Sequence, residues 1–314
     1  MKGPTHAAQS SHCIGIDVGG TKIAAGLVAF PEGRPVTRRM LPTQPARGGR
    51  AVLDDVLRLA QEIADGAAAQ GQPVKAIGLG VCELVDRDGR ITSANCIQWL
   101  DQPVCPALSA IAPATIEADV RAAALAEALF GAGKSVRTFI YVTVGTGISC
   151  CLMLDGQPHL GAHGATGTMA SSPLSVPCGA CGQMGQRTLE EIASGPALVA
   201  RFNSAHGNAN SAQEVLAAAA AGNSVAFEIV RTGAEALGSQ IGQLVNVLDP
   251  EAVIIGGGLG LGAGLYWDHF VASTRRHIWC EAHRDLPILR AAMGADVGWI
   301  GAAVKAWQLV QKIA

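Results

Sequence analysis

Aromatic side chains are scarce in this chain of 314 residues: six Phe, five Trp and two Tyr, 4% of the total. Charge is scarce too, at 15% Asp, Glu, Lys and Arg against about 25% in an average globular protein. The 23 Lys and Arg and 25 Asp and Glu leave a net charge of -2. With no basic excess to neutralise phosphates, the composition argues against a nucleic-acid partner. No apolar run approaches the ~18–20 residues of a membrane-spanning helix, so no membrane partner is expected. Met1 to His12 is polar and lacks the apolar core of a secretory signal, which predicts a cytoplasmic protein. The nine cysteines, an odd number, read as reduced and mostly buried thiols. Hydrophobic residues, by contrast, make up 49% of the chain, which excludes a mainly disordered polymer. The length suggests two domains at ~150 residues each. Glycine is the residue in excess, 39 in all, and outside any low-complexity repeat it predicts places where backbone approaches something closely.

Apolar spacing predicts alternating strands and helices, hence an α/β fold. Residues 1–11 read as a tail. Cys13 to Ala29 reads as strand, Gly19-Gly20 turn, strand, and Ala76 to Val81 as a short buried strand. Val52, Val56, Leu59 and Ile63 fall on one face of a helix over 51–65. Residues 120–131 are Ala- and Leu-rich and therefore helical. Phe139 to Leu154 repeats the strand, glycine turn, strand pattern. Residues 157–189, rich in Gly, Ser and Pro, are expected to be irregular. Helices are predicted at Glu190 to Phe202, 212–221, Val225 to Leu248 and Gly298 to Lys312, with a strand at Ala252 to Ile255. The segment Ile14 to Lys22 resembles Tyr141 to Ile148, which suggests a duplicated domain.

Three glycine turns carry the candidate chemistry. In Asp17-Val-Gly-Gly-Thr-Lys22, Gly19 and Gly20 let N–H groups approach phosphate oxygens, Thr21 adds a hydroxyl and Lys22 a cation. Asp17, at the end of a buried strand, suits Mg²⁺ held through water. An ordinary hairpin turn is the competing reading. The strand that follows sets this loop apart from a Walker or Rossmann fingerprint. Gly145-Thr146-Gly147 is a second phosphate turn, and Gly256-Gly257-Gly258 after a strand suits an adenosine; either alone would read equally well as a loop.

In this order the turns resemble the ROK family of sugar kinases and related repressors, within the actin-like ATPase superfamily. The resemblance runs from about 13 to 307. It rests on Gly15 to Lys22, Gly78-Leu-Gly-Val81 with Leu84-Val-Asp86, and Glu117-Ala-Asp119 to Glu127. Further matches are Gly145 to Gly147 with Asp155-Gly156, Leu189 to Gly195, Asp249-Pro250 with Ile255 to Gly258, and Gly301-Ala-Ala303. It implies two actin-like (ribonuclease H-like) domains flanking a nucleotide and sugar cleft, residues 1–118 with 301–314 and residues 119–300. It also implies ATP and Mg²⁺, a small-molecule sugar as partner, a homodimer, and transfer of the γ-phosphoryl to a hexose hydroxyl, usually the 6-hydroxyl. Asp119 is then the general base, although a helix N-cap is its bland alternative. The implied sugar contacts are Glu83, Asn95, Glu117, Asp119, Thr168 and Glu190.

The departures from the family pattern cluster where the sugar is read. Ala118 stands for an Asn, Thr168 for a Glu, Ser171 for a His, and Cys82-Glu83 for Pro-Gly. Lost polar groups and an added carboxylate point to an amino-hexose such as kanosamine, its ammonium paired with Glu83 or Glu117. Cyclitols, other modified hexoses and ordinary hexoses are the alternatives, as is a non-catalytic sugar sensor. A helix-turn-helix regulator is disfavoured, since only a dozen residues precede the first phosphate hairpin. The family's zinc run appears as Cys178-Gly-Ala-Cys181, without the partnering His or third Cys. Two thiolates do not complete a tetrahedral set, so structural zinc is not expected unless His159 or His163 substitutes.

Overall fold

The computed structural model describes residues 11–177 and 184–313. The expected tail lies outside them except for Ser11, and so do Cys178 and Cys181, the two residues of the zinc expectation. Contacts divide the chain into two units: residues 1–134, 160–166 and 295–314, and residues 135–159 and 167–294.

In the first unit, β1 (Ser11–Val18) and β2 (Lys22–Phe30) form an antiparallel hairpin, and β3 (Arg34–Pro42) extends it at the edge. After α1 (Gly49–Ala69), β4 (Val74–Val81) returns parallel to β1. Then α2 (Val104–Ser109), β5 (Ala114–Ala118) parallel to β4, and α3 (Asp119–Phe130) complete the run. The strand order is β3-β2-β1-β4-β5. The second unit has β6 (Thr138–Val144), β7 (Ile148–Leu154), β8 (Gln157–Pro158), and the hairpin β9 (Pro173–Pro177) with β10 (Met184–Thr188). There follow α4 (Glu190–Ala193), α5 (Gly195–Ser204), α6 (Ala212–Ala220), α7 (Ser224–Leu248), β11 (Ala252–Gly256), α8 (Leu265–His277) and β12 (Ile288–Arg290). Its main sheet runs β12-β11-β6-β7-β8. Read from the other edge this is the same order as in the first unit, with two antiparallel and two parallel neighbours in the same places. The duplication suggested by the two hairpins is thus a duplicated topology, that of a ribonuclease H-like, actin-like domain.

Period-2 alternation sorts the two faces of the first sheet. Ile14, Ile16 and Val18 join a buried cluster with Val52, Val56, Leu59 and Ile63 of α1. Gly15 and Gly78 face the other way, against the last helix, α9 (Val297–Ile313). A Cβ on Gly15 would lie 1.8 Å from the Trp299 carbonyl oxygen, and one on Gly78 1.8 Å from that of Ala302. These two glycines admit a helix backbone to the sheet, so part of the glycine excess serves helix–sheet contact.

Several elements differ from expectation. The boundary falls after Lys134, not at 118/119, because α3 packs on α9 and stays with the first sheet. The helix expected over Glu190 to Phe202 breaks at Ser194, which begins a new helix by accepting the Ala197 N–H at 3.3 Å; Pro196 occupies its first turn. The segment 157–189 is not wholly irregular, since it contains β9 and β10. β3, β5, α2 and β12 carry no strong apolar periodicity, and α8 buries Tyr266, Phe270, Ser273 and Thr274 at helical spacing, but two of the four are polar. Among the described residues no helix is long and apolar enough to cross a membrane.

Candidate active site

The register of three parallel strands builds the first half of the site. Val18 of β1 pairs with Val81 of β4, and Val81 pairs with Ala118 of β5. The residues that follow, Gly19-Gly20, Cys82-Glu83 and Asp119, therefore stand in one row at the carboxyl ends of the strands. That is where open α/β sheets bind ligands.

The first glycine turn is held from below. The Gly19 N–H donates to the Lys22 carbonyl at 3.0 Å, closing the hairpin. Thr43, fully buried, adds two bonds that the sequence did not reveal. Its N–H donates to the Thr21 carbonyl at 3.1 Å and its hydroxyl to the Gly19 carbonyl at 2.6 Å. Gly19 and Gly20 are half-buried, whereas Thr21 and Lys22 project to solvent.

Asp17 shares the α9 face of β1 with Gly15. A Cβ on Gly298, in the first turn of α9, would fall 2.4 Å from Asp17 Oδ2, so only glycine leaves room for the carboxylate. Burial pushes the Asp17 carboxyl up to about 7, the nearby Asp119 carboxylate adds to the rise, and Lys22 opposes it. An oxygen donor under such uncompensated negative charge suits a hard divalent cation held through water, so these residues fit Mg²⁺.

Asp119 is the first residue of α3, not its N-cap; Ala118 occupies that position. Its Oδ1 accepts the Val120 N–H at 2.6 Å. Burial pushes the carboxyl up to about 6, and the Glu83 carboxylate pushes the same way. The Val120 N–H and the Arg121 guanidinium pull it down. The result is a half-buried carboxylate near neutrality, the condition that suits a general base.

Two other carboxylates in this unit prove to be structural. Glu83 is only 3% exposed. Its Oε2 accepts the Ser93 hydroxyl and the Asn95 N–H (2.9 Å); its Oε1 accepts the N–H groups of Cys96 (2.6 Å) and Ile97 (2.9 Å). Glu117 is buried as well. It accepts from Arg121 Nε at 2.6 Å, Lys305 Nζ at 2.7 Å and the Ala118 N–H at 3.1 Å. The expectation that either pairs with a sugar ammonium is therefore corrected: their oxygens are engaged by protein donors and withdrawn from solvent. Arg121 also donates to the carbonyls of Gly164 (2.9 Å) and Val85 (2.6 Å), tying residues 160–166 and the turn after β4 to α3. Of the other residues expected to read a sugar, Asn95 in this unit and Thr168 in the second unit have exposed side chains.

The second unit holds its two glycine turns together. Gly145-Thr146-Gly147 closes the β6–β7 hairpin, with the Gly145 N–H donating to the Gly147 carbonyl at 2.9 Å. Glu190, exposed in the second unit, braces this turn through Oε2, which accepts the Ile148 N–H at 2.8 Å. The Gly195 N–H, freed by the helix break, donates to the Gly145 carbonyl at 2.9 Å. Gly256 to Gly258 lies alongside: the Val144 carbonyl accepts the N–H groups of Leu259 (3.0 Å) and Gly260 (3.1 Å). Gly257 has φ +82° and would bring a Cβ within 2.4 Å of that same carbonyl oxygen, so a side chain is doubly excluded there. Open space lies over Gly258. Asp155-Gly156 does not join these turns. It forms a left-handed turn at the opposite end of β7, where Asp155 pairs with Arg137 at 2.6 Å.

The ROK family model matches residues 13–308. A glucokinase of Streptomyces coelicolor is 30% identical over 317 residues, spanning 92% of this chain and 96% of the relative. An N-acetylmannosamine kinase of Vibrio vulnificus is 32% identical over 256 residues, 80% of this chain and 84% of the relative. The solved structure of a ROK family glucokinase from Streptomyces griseus, in complex with glucose and AMPPNP, is 30% identical with a TM-score of 0.78, covering 95% of this chain and all of that one. A family model over nearly the whole chain and relatives of 30% or more identity agree, and the chain belongs to the ROK family.

Proposed function

We propose that this chain is a kinase that transfers the γ-phosphoryl group of ATP to the 6-hydroxyl of a neutral hexose. The observation that carries the reading is the row formed by the Gly19-Gly20 turn and Asp119 at the carboxyl ends of three parallel strands, with Asp17 beneath it. The relatives, glucokinases and N-acetylmannosamine kinases, support it. Asp119 accepts the proton of the sugar hydroxyl as the new O–P bond forms. The N–H groups of Gly20 and Thr21 and of Thr146 and Gly147, with the two threonine hydroxyls, bind phosphate oxygens, Gly19 and Gly145 spend theirs closing the hairpins, and the Lys22 ammonium adds charge. Gly256 to Gly258 pass close to the adenosine. Asp17 would hold Mg²⁺ through water, and the ion supplies positive charge against the phosphates. Asn95 and Thr168 supply neutral hydrogen bonds to the sugar.

A neutral acceptor is favoured over an amino-hexose because Glu83 and Glu117 are buried and each of their oxygens already accepts from a protein donor. A panel of glucose, N-acetylmannosamine and kanosamine, assayed by ADP release, should give its highest kcat/KM with one of the two neutral sugars. Kanosamine ranking first would overturn this choice, and turnover of no sugar at all would favour a sensor.

The pH profile tests the base. Asp119 must be ionised to act, and it faces the carboxylates of Asp17 and Glu83, the Arg121 guanidinium and the Val120 N–H, with Lys22 beyond Asp17. Its carboxyl lies near 6, above the ordinary range around 4. ADP-release rates between pH 5 and 8 should show kcat/KM falling below about 6, approaching tenfold per pH unit. An acid limb near pH 4 would remove Asp119 from the role.

A further inference from the structure

Thr43 is completely buried, and its N–H, its hydroxyl and its carbonyl are all bonded. It follows Pro42, the last residue of β3. Its hydroxyl donates to the Gly19 carbonyl at 2.6 Å and its N–H to the Thr21 carbonyl at 3.1 Å. Its own carbonyl accepts from Arg47 Nη2 at 3.1 Å, and the same nitrogen pairs with Asp55 of α1 at 2.5 Å. Arg58, one turn along α1, holds the other Asp55 oxygen at 2.8 Å. The first glycine turn is thus tied through Thr43 and Arg47 to a helix of 21 residues.

A trans peptide is planar, with its carbonyl and the following N–H on opposite sides. Where the Thr43 hydroxyl holds the Gly19 carbonyl, the Gly20 N–H points the other way. That N–H has no protein acceptor among the described residues. Glycine on both sides leaves this one peptide free to rotate, so the turn's own backbone does not fix the direction of the N–H. The Thr43 hydroxyl supplies the missing restraint.

We propose that Thr43 is a positioning residue of the phosphate site: by holding the Gly19 carbonyl inward, it aims the Gly20 N–H at a nucleotide phosphate. This rests on the kinase reading given above. Fully buried, Thr43 acts through the peptide between Gly19 and Gly20 and not on the substrate itself. Thr43→Val isolates the hydroxyl. It keeps the shape of the side chain and the backbone N–H bond, but the Gly19 carbonyl loses its donor. A withdrawn carbonyl without a partner is costly, and rotating the peptide towards water relieves it. The Gly20 N–H turns with the carbonyl and leaves the phosphate. Nucleotide binding then loses a hydrogen bond to a charged group, while Asn95 and Thr168, the sugar contacts proposed above, are untouched.

The test compares wild type, Thr43→Val and Thr43→Ser. ADP release with the panel sugar turned over fastest gives kcat and the KM values for ATP and for sugar. Calorimetric titration with AMPPNP and Mg²⁺ gives a nucleotide Kd that needs no turnover, and urea unfolding checks that each variant is folded. Thr43→Val should raise both the KM for ATP and the AMPPNP Kd about tenfold. Its KM for sugar should stay within about twofold of wild type. Thr43→Ser, which keeps the hydroxyl, should return both nucleotide constants to within about threefold of wild type. A fall in kcat alone, with the nucleotide constants unchanged, is what a merely structural residue would give, and it would overturn the proposal. So would a joint rise of the two KM values, or a serine variant as weak as the valine one. Should Thr43→Val fail to fold, Arg47→Met removes the donor to the Thr43 carbonyl from a half-exposed position. It should raise the AMPPNP Kd at least about twofold, and no change would overturn the proposal. If wild type phosphorylates no sugar, the kinase reading fails and the AMPPNP constants alone decide on Thr43. A wild type that binds no AMPPNP sinks both.

Discussion

Asp119→Asn is expected to lower kcat by about 10²–10⁴ and at the same time to stabilise the ligand-free chain at neutral pH. The two effects have one origin. Asparagine keeps the size of the side chain and an oxygen for the Val120 N–H, but it cannot take a proton from a hydroxyl. Its neutrality removes a charge that the surroundings disfavour. A carboxyl held near 6 in the folded chain and near 3.9 when unfolded binds more protons folded than unfolded between those values. Stability therefore falls as pH rises through that window, and the penalty is fully present above it. Allowing for partial solvent exposure, removing it should gain on the order of 1–2 kcal/mol at pH 7.5. Urea unfolding of variant and wild type should show this gain, and the gap should narrow as pH is lowered towards 4. Wild-type turnover in the variant would remove the base assignment. Retained sugar and nucleotide binding with lost turnover would separate an enzyme from a sensor.

Arg121→Ala is expected to destabilise the first unit by about 3–5 kcal/mol, the effect of stripping one partner from a buried ion pair. The guanidinium is 3% exposed and serves Glu117 and the carbonyls of Gly164 and Val85 at once. Its removal leaves Glu117, equally buried, with Lys305 and one N–H, and deprives two carbonyls of their donor. Arg121→Lys should recover only part of the loss, because an ammonium lacks the planar fork that reaches three directions. Urea unfolding checks both variants. A loss under about 1 kcal/mol would mean that the three bonds contribute little net.

The parts of the site legible in the sequence are those whose chemistry is contiguous. Asp17 to Lys22 and Gly145 to Gly147 declare themselves because turn, strand and donor lie within a few residues. Asp119 follows from its place before a helix and from the family resemblance. The surroundings of Glu83 are illegible for the opposite reason. Four of its partners lie between Ser93 and Ile97, and three of them are backbone N–H groups, which no side-chain pattern encodes. Glu117 meets Lys305 across 188 positions. Thr43 supports the phosphate turn from the end of an Arg- and Pro-bearing edge strand whose exposed face carries no apolar alternation. The Ser194-Gly195-Pro196 break was hidden inside a plausible helical run. The local rule that Pro opens helices explains it once the Gly195 N–H is seen to reach Gly145.

The dependence of the first sheet on α9 has a consequence for biosynthesis. Gly15 and Gly78 emerge from the ribosome early, but Trp299 and Ala302, which cover them, come only after the whole of residues 135–294. At about 5–20 residues per second that interval lasts roughly 8–30 s. During it the first unit carries a sheet with one face unroofed, while the second unit has all its strands and helices in hand. Maturation thus runs against the order of translation, and the nascent first half is the stretch most in need of a chaperone. Asp17, whose carboxylate lies against Gly298, acquires its final surroundings only when the last helix docks, so a chain cut short before 295 has its glycine turns but no finished first sheet.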